Sequence, residues 1–499
     1  KKQFSPVIIF GKHDNVVDVP KIAIRQLVIR GEKKAFSFLF DEHDGNAVHD
    51  TKGSALGHVD NPVWLINESY HWKLRYTGSS KTVAAINFDN QQQRIIIANK
   101  DSVVFFDCKS NTTETARYAN PLDVPMRLGM SFIDTTSNSL FVYEVNDLPL
   151  FKSSIASLNL TRLTWVNKSQ LQLPQQRHHH IGFYDAVKQN YLIFGGFGNR
   201  RFAGDFMQYN IPGNTWTIIP YTGDRITPRF FLGQVVESPH NTIVFGGIGN
   251  NTGDQSLGKS YYFDCYRVNH QTRSIKKLWN ISIMGQGMVT VRNMFLADDK
   301  KSFYTICYPE YIPNTFLKLY KFNLSNGNYE ILGDSIPMNS ERIETNANLY
   351  FNSITKELYC TTQEFQPDGS SIIKVYSISD PPVSSDIFVK TKNAGIKYRV
   401  LYALGGLSGL GLFIYFLVLQ KRRKNTHSAL HIEEPAATTE VVANTPVKNA
   451  IFLFGEYKAL DKNGRDITHL FSPKIRQLYL FILLNYIKNG EGVSSAQIY

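Results

Sequence analysis

Residues 400–419 contain no charged side chain. A helix of about 20 apolar residues spans the hydrocarbon core of a bilayer, which is about 30 Å thick. Because a soluble core helix of that length usually carries some charge, the stretch predicts a transmembrane helix rather than a buried one. The chain is therefore expected to be divided into two parts that lie on opposite sides of a membrane.

Basic residues flank this stretch on both sides. The cluster 421–424 directly follows the apolar run and is denser than the one that precedes it, which includes Lys390 and Arg399. Positive charge concentrates on the cytoplasmic side of a membrane helix, so the C-terminal part is expected to be cytoplasmic. Within the run, Gly405 and Gly409 form a small-xxx-small face that would allow two helices to dimerise. The alternative is that glycine is simply common in membrane helices.

Between Ser80 and Pro382 the chain repeats itself with a period near 50 residues. The clearest copies are Tyr191–Gly196 and Thr242–Gly247, each a predicted strand that ends in a double glycine. Three further pairs of residues each predict two antiparallel strands joined by a short hairpin. These pairs are Leu158 with Trp165, Tyr209 with Trp216, and Phe322 with Tyr329.

Four strands in about 50 residues are typical of a β-propeller blade. The predicted domain covers 66–385 and holds about six blades. The double glycines at 195–196 and 246–247, with spaced aromatics behind them, resemble the kelch family of propellers. The predicted blades cover 80–120, 126–170, 176–222, 228–281, 286–335 and 341–382.

Residues 1–65 have a different character. Strands are predicted at Phe4–Phe10, Ile22–Arg30 and Ala35–Phe40, followed by a polar turn at 41–46. The pattern resembles the closing strands of a laminin-G or concanavalin-like jelly roll, whose earlier strands would lie upstream of residue 1. The alternative is an extra β-hairpin packed on the propeller.

Residues 425–447 are rich in Ala, Thr, Glu and Pro and predict a flexible linker. In 449–499, a strand at Ile451–Leu460, a turn at 461–464 and an amphipathic helix at Lys474–Lys488 are expected. This order resembles the start of the α+β winged-helix domain of bacterial response regulators, and it implies that the recognition helix lies beyond Tyr499. Weak candidates for phosphate contacts are Lys474, Arg476 and Lys488.

The sequence contains no catalytic, cofactor or metal signature, so an enzyme is not expected. Three consecutive histidines, at 178–180, cannot all reach one ion from a strand and are interpreted as structural or surface residues. The polar turn at 41–46 could bind calcium, although such turns are common without metal. The cysteines are interpreted as buried small hydrophobes rather than as disulfides: Cys108, Cys265, Cys307 and Cys360.

These features predict a mainly β chain: the end of a jelly-roll-like sandwich, a kelch-like propeller, one transmembrane helix and a truncated winged helix. The expected function is a single-pass, one-component transcriptional regulator of the bacterial inner membrane. Its periplasmic propeller would sense an unknown ligand, for which a glycan is one candidate, and its cytoplasmic domain would bind promoter DNA as a monomer or a homodimer. The alternative is a cell-surface kelch or lectin-like adhesion receptor without DNA binding.

Overall fold

The structure is a computed structural model of the 499-residue chain. Its secondary structure is almost entirely antiparallel β-sheet, which confirms the prediction of a mainly β chain. Two compact units divide the chain, 1–410 and 411–499. The residues described are 9–10, 22–31, 34–144, 148–149, 151–173, 175–282, 287–389, 450–452, 458–468 and 479.

Two small hairpins and one helical turn precede the repeats. The hairpins are joined by a bridge between Phe38 and Asp50, and Phe38 packs with Val48 and Trp64 in a small core. No strand is present at residues 9–10 or 22–26, so those parts of the predicted strands are wrong, and residues 4–8 lie outside the described residues. The elements are β1 (Leu27–Arg30), β2 (Ala35–Phe38), β3 (Ala47–His49), β4 (Ala55–His58), α1 (Leu65–Glu68) and β5 (Lys73–Ser80).

The next two sheets are simple up-and-down meanders of four strands, in which every strand pairs with the one that follows it. Sheet 1 consists of β6 (Ala85–Asp89), β7 (Arg94–Ala98), β8 (Ser102–Asp107) and β9 (Thr112–Arg117). Sheet 2 consists of β10 (Ser131–Asp134), β11 (Ser139–Tyr143), β12 (Ile155–Asn159) and β13 (Thr164–Ser169).

Sheets 3 and 4 keep this order but carry small ribbons in their loops. Sheet 3 consists of β14 (Ile181–Asp185), β15 (Asn190–Phe194), β18 (Phe206–Asn210) and β19 (Thr215–Ile219), with β16 (Phe197–Gly198) and β17 (Arg201–Phe202) as its ribbon. In sheet 4 the meander consists of β22 (Gly233–Ser238), β23 (Asn241–Phe245), β26 (Asp264–Asn269) and β27 (Ser274–Asn280), and a short strand β20 (Thr222–Gly223) pairs parallel with β27 at the edge. A three-stranded ribbon is formed by β21 (Arg229–Phe230), β24 (Ile248–Gly249) and β25 (Ser260–Tyr261).

Sheet 6 obtains its outer strand from the start of the repeat region. β5 pairs antiparallel with β35 (Ser371–Ser379). In this pairing Ser80 lies opposite Ser371 and Lys73 lies opposite Ser377. Sheet 5 consists of β28 (Val289–Thr290), β29 (Phe295–Leu296), β30 (Ser302–Tyr308), β31 (Thr315–Asn323) and β32 (Tyr329–Met338). Sheet 6 consists of β33 (Asn346–Asn352), β34 (Glu357–Phe365), β35 (Ser371–Ser379) and β5.

Hydrophobic clusters join each sheet to the next one, and one cluster joins sheet 6 to sheet 1. β7 shows how a single strand serves two neighbours. Ile95 and Ile97 pack towards sheet 6, whereas Ile96 packs towards sheet 2. Because successive side chains of a strand point to opposite faces, a strand buried on both faces needs an unbroken apolar run.

The predicted hairpins and glycine bends are confirmed. In the strand register, Leu158 lies opposite Trp165, and Phe322 lies opposite Tyr329; Tyr209 likewise lies opposite Trp216. Gly196 has a φ of 107°, and a Cβ built there would lie 2.8 Å from the Cβ of Arg177. This backbone conformation and close approach explain why glycine ends the strand.

In the unit 411–499, two short strands are described. β36 (Ala450–Phe452) pairs antiparallel with β37 (Lys458–Leu460). The single predicted strand 451–460 is therefore wrong. The predicted turn is confirmed, because Gly464 N donates to Asp461 O at 3.0 Å and Leu460 forms a bridge with Asp466.

Candidate functional site

A cavity with about 50 Å³ of space accessible to water-sized molecules is the strongest candidate site. Each of the six sheets contributes to its lining, through one of its strands or through the chain next to a strand. The polar residues in this lining are His179, Thr290, Arg292, Glu344, Asn346 and Asn348. The apolar part includes Ile86, Leu128, Met130, Phe231, Val291 and Ala347.

Arg292 carries the positive charge of the cavity. Its side chain is partly buried, and its Nη1 donates a hydrogen bond to the Sδ of Met130 at 3.5 Å. Among the residues that the structure describes, no carboxylate lies within 4.0 Å of its guanidinium group. Glu344 also lines the cavity and likewise forms no ion pair with a described residue. Two opposite charges thus share one cavity without pairing.

Asn348 adds an amide group to the lining. The residue is only 6% exposed, and its side chain makes no hydrogen bond to any residue in the described part of the chain. Neighbouring Asn346 differs, because its Nδ2 donates to the backbone oxygen of Glu344 at 3.1 Å. Buried amides are normally hydrogen-bonded, so the amide of Asn348 is available to a molecule that enters the cavity.

Two of the three consecutive histidines, His179 and His180, have different surroundings. His180 Nδ1 donates to the backbone oxygen of Arg177 at 2.6 Å, which leaves Nε2 to accept from the hydroxyl of Tyr143 at 2.7 Å. His179 lines the cavity, and burial lowers its pKa to about 3, with nearby positive charges acting in the same direction. His179 is therefore neutral near pH 7 and does not add to the charge of Arg292.

Buried histidines are expected to make the protein acid-sensitive. Burial lowers the pKa of His180 to about 3 and that of His270 to about 4, whereas an unfolded histidine titrates at about 6.5. Below about pH 6.5 the unfolded chain binds protons that the folded chain does not bind. The free energy of unfolding should therefore fall as the pH decreases from about 6.5, by up to about 1.4 kcal/mol per pH unit for each histidine.

Urea unfolding at pH 7 and pH 5 measures this loss. His180→Gln should lose less stability than the wild type between the two pH values, and a control, His240→Gln at an exposed position, should lose as much as the wild type. An equal loss in all three proteins would contradict the assignment to His180.

Two arginine–aspartate pairs were missed by the sequence reasoning. Arg177 makes two bonds of 2.8 Å to the carboxylate of Asp205, and Arg229 bonds both carboxylate oxygens of Asp264. Each arginine also donates to the backbone oxygen of the first glycine in a double glycine. Arg177 donates to Gly195 O and Arg229 donates to Gly246 O. In the sequence, each of these arginines lies 17 or 18 residues before the glycine that it bonds, and this spacing could have revealed the pairs. The pairs are structural, because each one holds an arginine against the glycine bend that ends a strand.

All four cysteines are free and buried, which confirms their interpretation as small hydrophobes. Burial raises the pKa of the Cys307 thiol to about 12, so the thiol is protonated at neutral pH. In the turn at 41–46, Glu42 accepts a hydrogen bond from the backbone N–H of His49 at 2.8 Å. The described ranges contain no group of His, Cys, Asp or Glu side chains arranged to hold a metal ion.

Several predicted features lie outside the described residues. They are the run 400–419 with Gly405 and Gly409, the basic cluster 421–424, the linker 425–447, and the candidates Lys474, Arg476 and Lys488. Of the predicted helix 474–488, Tyr479 alone is described, in a helical conformation. Within the described ranges, the helices are all too short or too polar to cross a membrane, and none indicates a winged helix.

Comparison with known proteins gives no family assignment. The chain matches no protein-family model and shows no significant similarity to a curated protein.

Proposed function

We propose that residues 66–385 form a six-bladed β-propeller whose cavity binds a ligand. Six antiparallel sheets follow one another along the chain, and each packs on the next. The contact between the last sheet and the first supports a closed ring. Tyr350 donates through its hydroxyl to the backbone oxygen of Ile86 at 3.0 Å, and β5 completes sheet 6 from the N-terminal side. A propeller joined by strands from both ends of its sequence resists opening.

The propeller is, in this proposal, the sensor of a membrane-tethered transcriptional regulator. The main support for a sensor role is the cavity, because it brings together unpaired polar groups from sheets that are far apart in the sequence. The uncharged run 400–419 would place the sensor in the periplasm and the remainder in the cytoplasm. The hairpin of β36 and β37, with its turn at Asp461–Gly464, is compatible with the start of a winged-helix domain.

Signal transfer in this proposal relies on pairing of two chains. A single helix carries little information across a bilayer unless its association with a second helix changes, and Gly405 and Gly409 would allow close contact. Ligand binding in the cavity would then shift the equilibrium between monomer and dimer. A regulator of this kind acts without a separate kinase.

Binding of genomic DNA fragments tests this proposal. The full-length protein is placed in lipid nanodiscs and mixed with fragments at about 100 mM salt, since phosphate contacts depend strongly on salt. Selective retention of a few promoter fragments is expected. Retention of all fragments alike, or of none, would show that the cytoplasmic part does not read promoters.

A further inference from the structure

We propose that the cavity binds a small organic oxyanion, a carboxylate or a phosphate, between the guanidinium group of Arg292 and the side-chain amide of Asn348. The inference deepens the proposed function and rests on it, because it gives the chemical class of the ligand that the sensor would detect.

The guanidinium of Arg292 needs an anionic partner. It presents five N–H donors, remains charged at every physiological pH, and fits the two oxygens of a carboxylate or phosphate. The Sδ of Met130 is a weak acceptor and satisfies only one donor. Because a partly buried cation loses hydration, the folded chain retains Arg292 at an energetic cost that an oxyanion ligand would offset.

Asn348 and Glu344 define how the ligand lies. The amide of Asn348 can donate to an oxyanion, and it has no hydrogen-bond partner among the described residues. Glu344 repels an anionic group but accepts hydrogen bonds from a hydroxyl or an ammonium group. The ligand therefore carries its oxyanion at Arg292 and a hydrogen-bond donor towards Glu344. Side chains such as Ile86 and Val291 would contact its carbon frame.

Three probes with the same carbon frame separate the possibilities. Glycerol is neutral, glycerate carries a carboxylate, and glycerol 3-phosphate carries a phosphate; all three carry hydroxyl donors. Each is titrated calorimetrically into the full chain at one ionic strength. Charge-assisted hydrogen bonds are worth enough to favour at least one of the two anions about tenfold or more over glycerol. The stronger of the two anions distinguishes a carboxylate ligand from a phosphate ligand.

Substitutions test the assignment to Arg292. Arg292→Gln should abolish the preference for the anion, and Glu344→Gln should strengthen anion binding by removing the like charge. The matched control is Arg162→Gln, an exposed arginine on the hairpin of sheet 2. Equal affinity of the wild type for all three probes, no measurable binding of either anion, or a preference that survives in Arg292→Gln would overturn the proposal.

Thermal unfolding of the same variants shows that they fold. Arg292→Gln removes an unpaired, partly buried cation, so its melting temperature should equal or exceed that of the wild type. A clear decrease would assign Arg292 a structural role and contradict the proposal. If the protein bound the anion but retained no promoter fragments selectively, the proposed role as a transcriptional regulator would be wrong and the oxyanion site would stand. If it retained promoter fragments but showed no preference for an anion, the oxyanion site alone would be wrong.

Discussion

Replacing Arg229 with methionine should lower the free energy of unfolding by about 3–5 kcal/mol, the cost of breaking a buried ion pair from one side. Arg229 is 1% exposed and bonds both oxygens of Asp264. Its Nε donates to Thr227 O at 2.9 Å, and its Nη1 donates to Gly246 O at 3.1 Å. The variant leaves the carboxylate of Asp264 buried with only Tyr266 and the more distant Lys277 to balance it.

Strand β26, which carries Asp264, also provides a matched control. Arg267 also bonds both oxygens of a carboxylate, that of Glu237, but its side chain is 37% exposed. Water screens this pair, so Arg267→Met should cost less than about 1 kcal/mol. Urea unfolding of both variants measures the difference. An equal loss of stability in the two variants would contradict the claim that burial makes the Arg229–Asp264 pair the more important one.

Removal of β5 should abolish cooperative folding of the six sheets. The strand pairs along the length of β35, and Arg75 on β5 bonds Glu357 at 2.9 Å and the hydroxyl of Ser377 at 2.8 Å. Without β5, sheet 6 has an unpaired edge, and the apolar contact of sheets 6 and 1 loses its support. The loss should be comparable to the whole stability of a typical domain, about 5–15 kcal/mol.

Two deletions isolate the effect of the strand. A chain that lacks 1–59 loses β1 to β4 but keeps β5, whereas a chain that lacks 1–80 loses β5 as well. Circular dichroism should show a sharp thermal transition for the first chain and none for the second. A synthetic peptide of residues 60–80 should restore the transition by adding the missing strand. A sharp transition in the 1–80 deletion without the peptide would contradict closure by β5.

Much of the repeat structure could be predicted because its causes are local. A turn fixes which residues lie opposite each other, so the pairs Leu158–Trp165 and Tyr209–Trp216 were readable from spacing alone. Each of the six predicted repeat ranges contains most of one sheet, but β5 of sheet 6 and β20 of sheet 4 lie outside the ranges of those sheets, and β32 runs past residue 335 to Met338. Burial of a strand on both faces was also readable from the sequence, because such a strand needs an unbroken apolar run, and β7 contains one.

The cavity could not be predicted, because its residues meet only through long-range packing. Arg292 and Asn348 lie in different sheets, and nothing in the local sequence separates them from solvent-exposed polar residues. The N-terminal strands were overpredicted for a different reason. Gln26 has a φ of 56°, which interrupts the extended backbone directly before β1, and apolar patterning does not reveal such a break.

Occupancy of promoters in the cell decides whether the protein controls transcription. The full-length protein is cross-linked to DNA in the cells that naturally contain it, and the recovered DNA is sequenced for the wild type, Arg292→Gln and Arg162→Gln. We expect a few discrete promoter sites, with occupancy that changes in Arg292→Gln and is unchanged in Arg162→Gln. An absence of discrete sites, or equal occupancy in all three proteins, would contradict a sensor that controls transcription from its cavity.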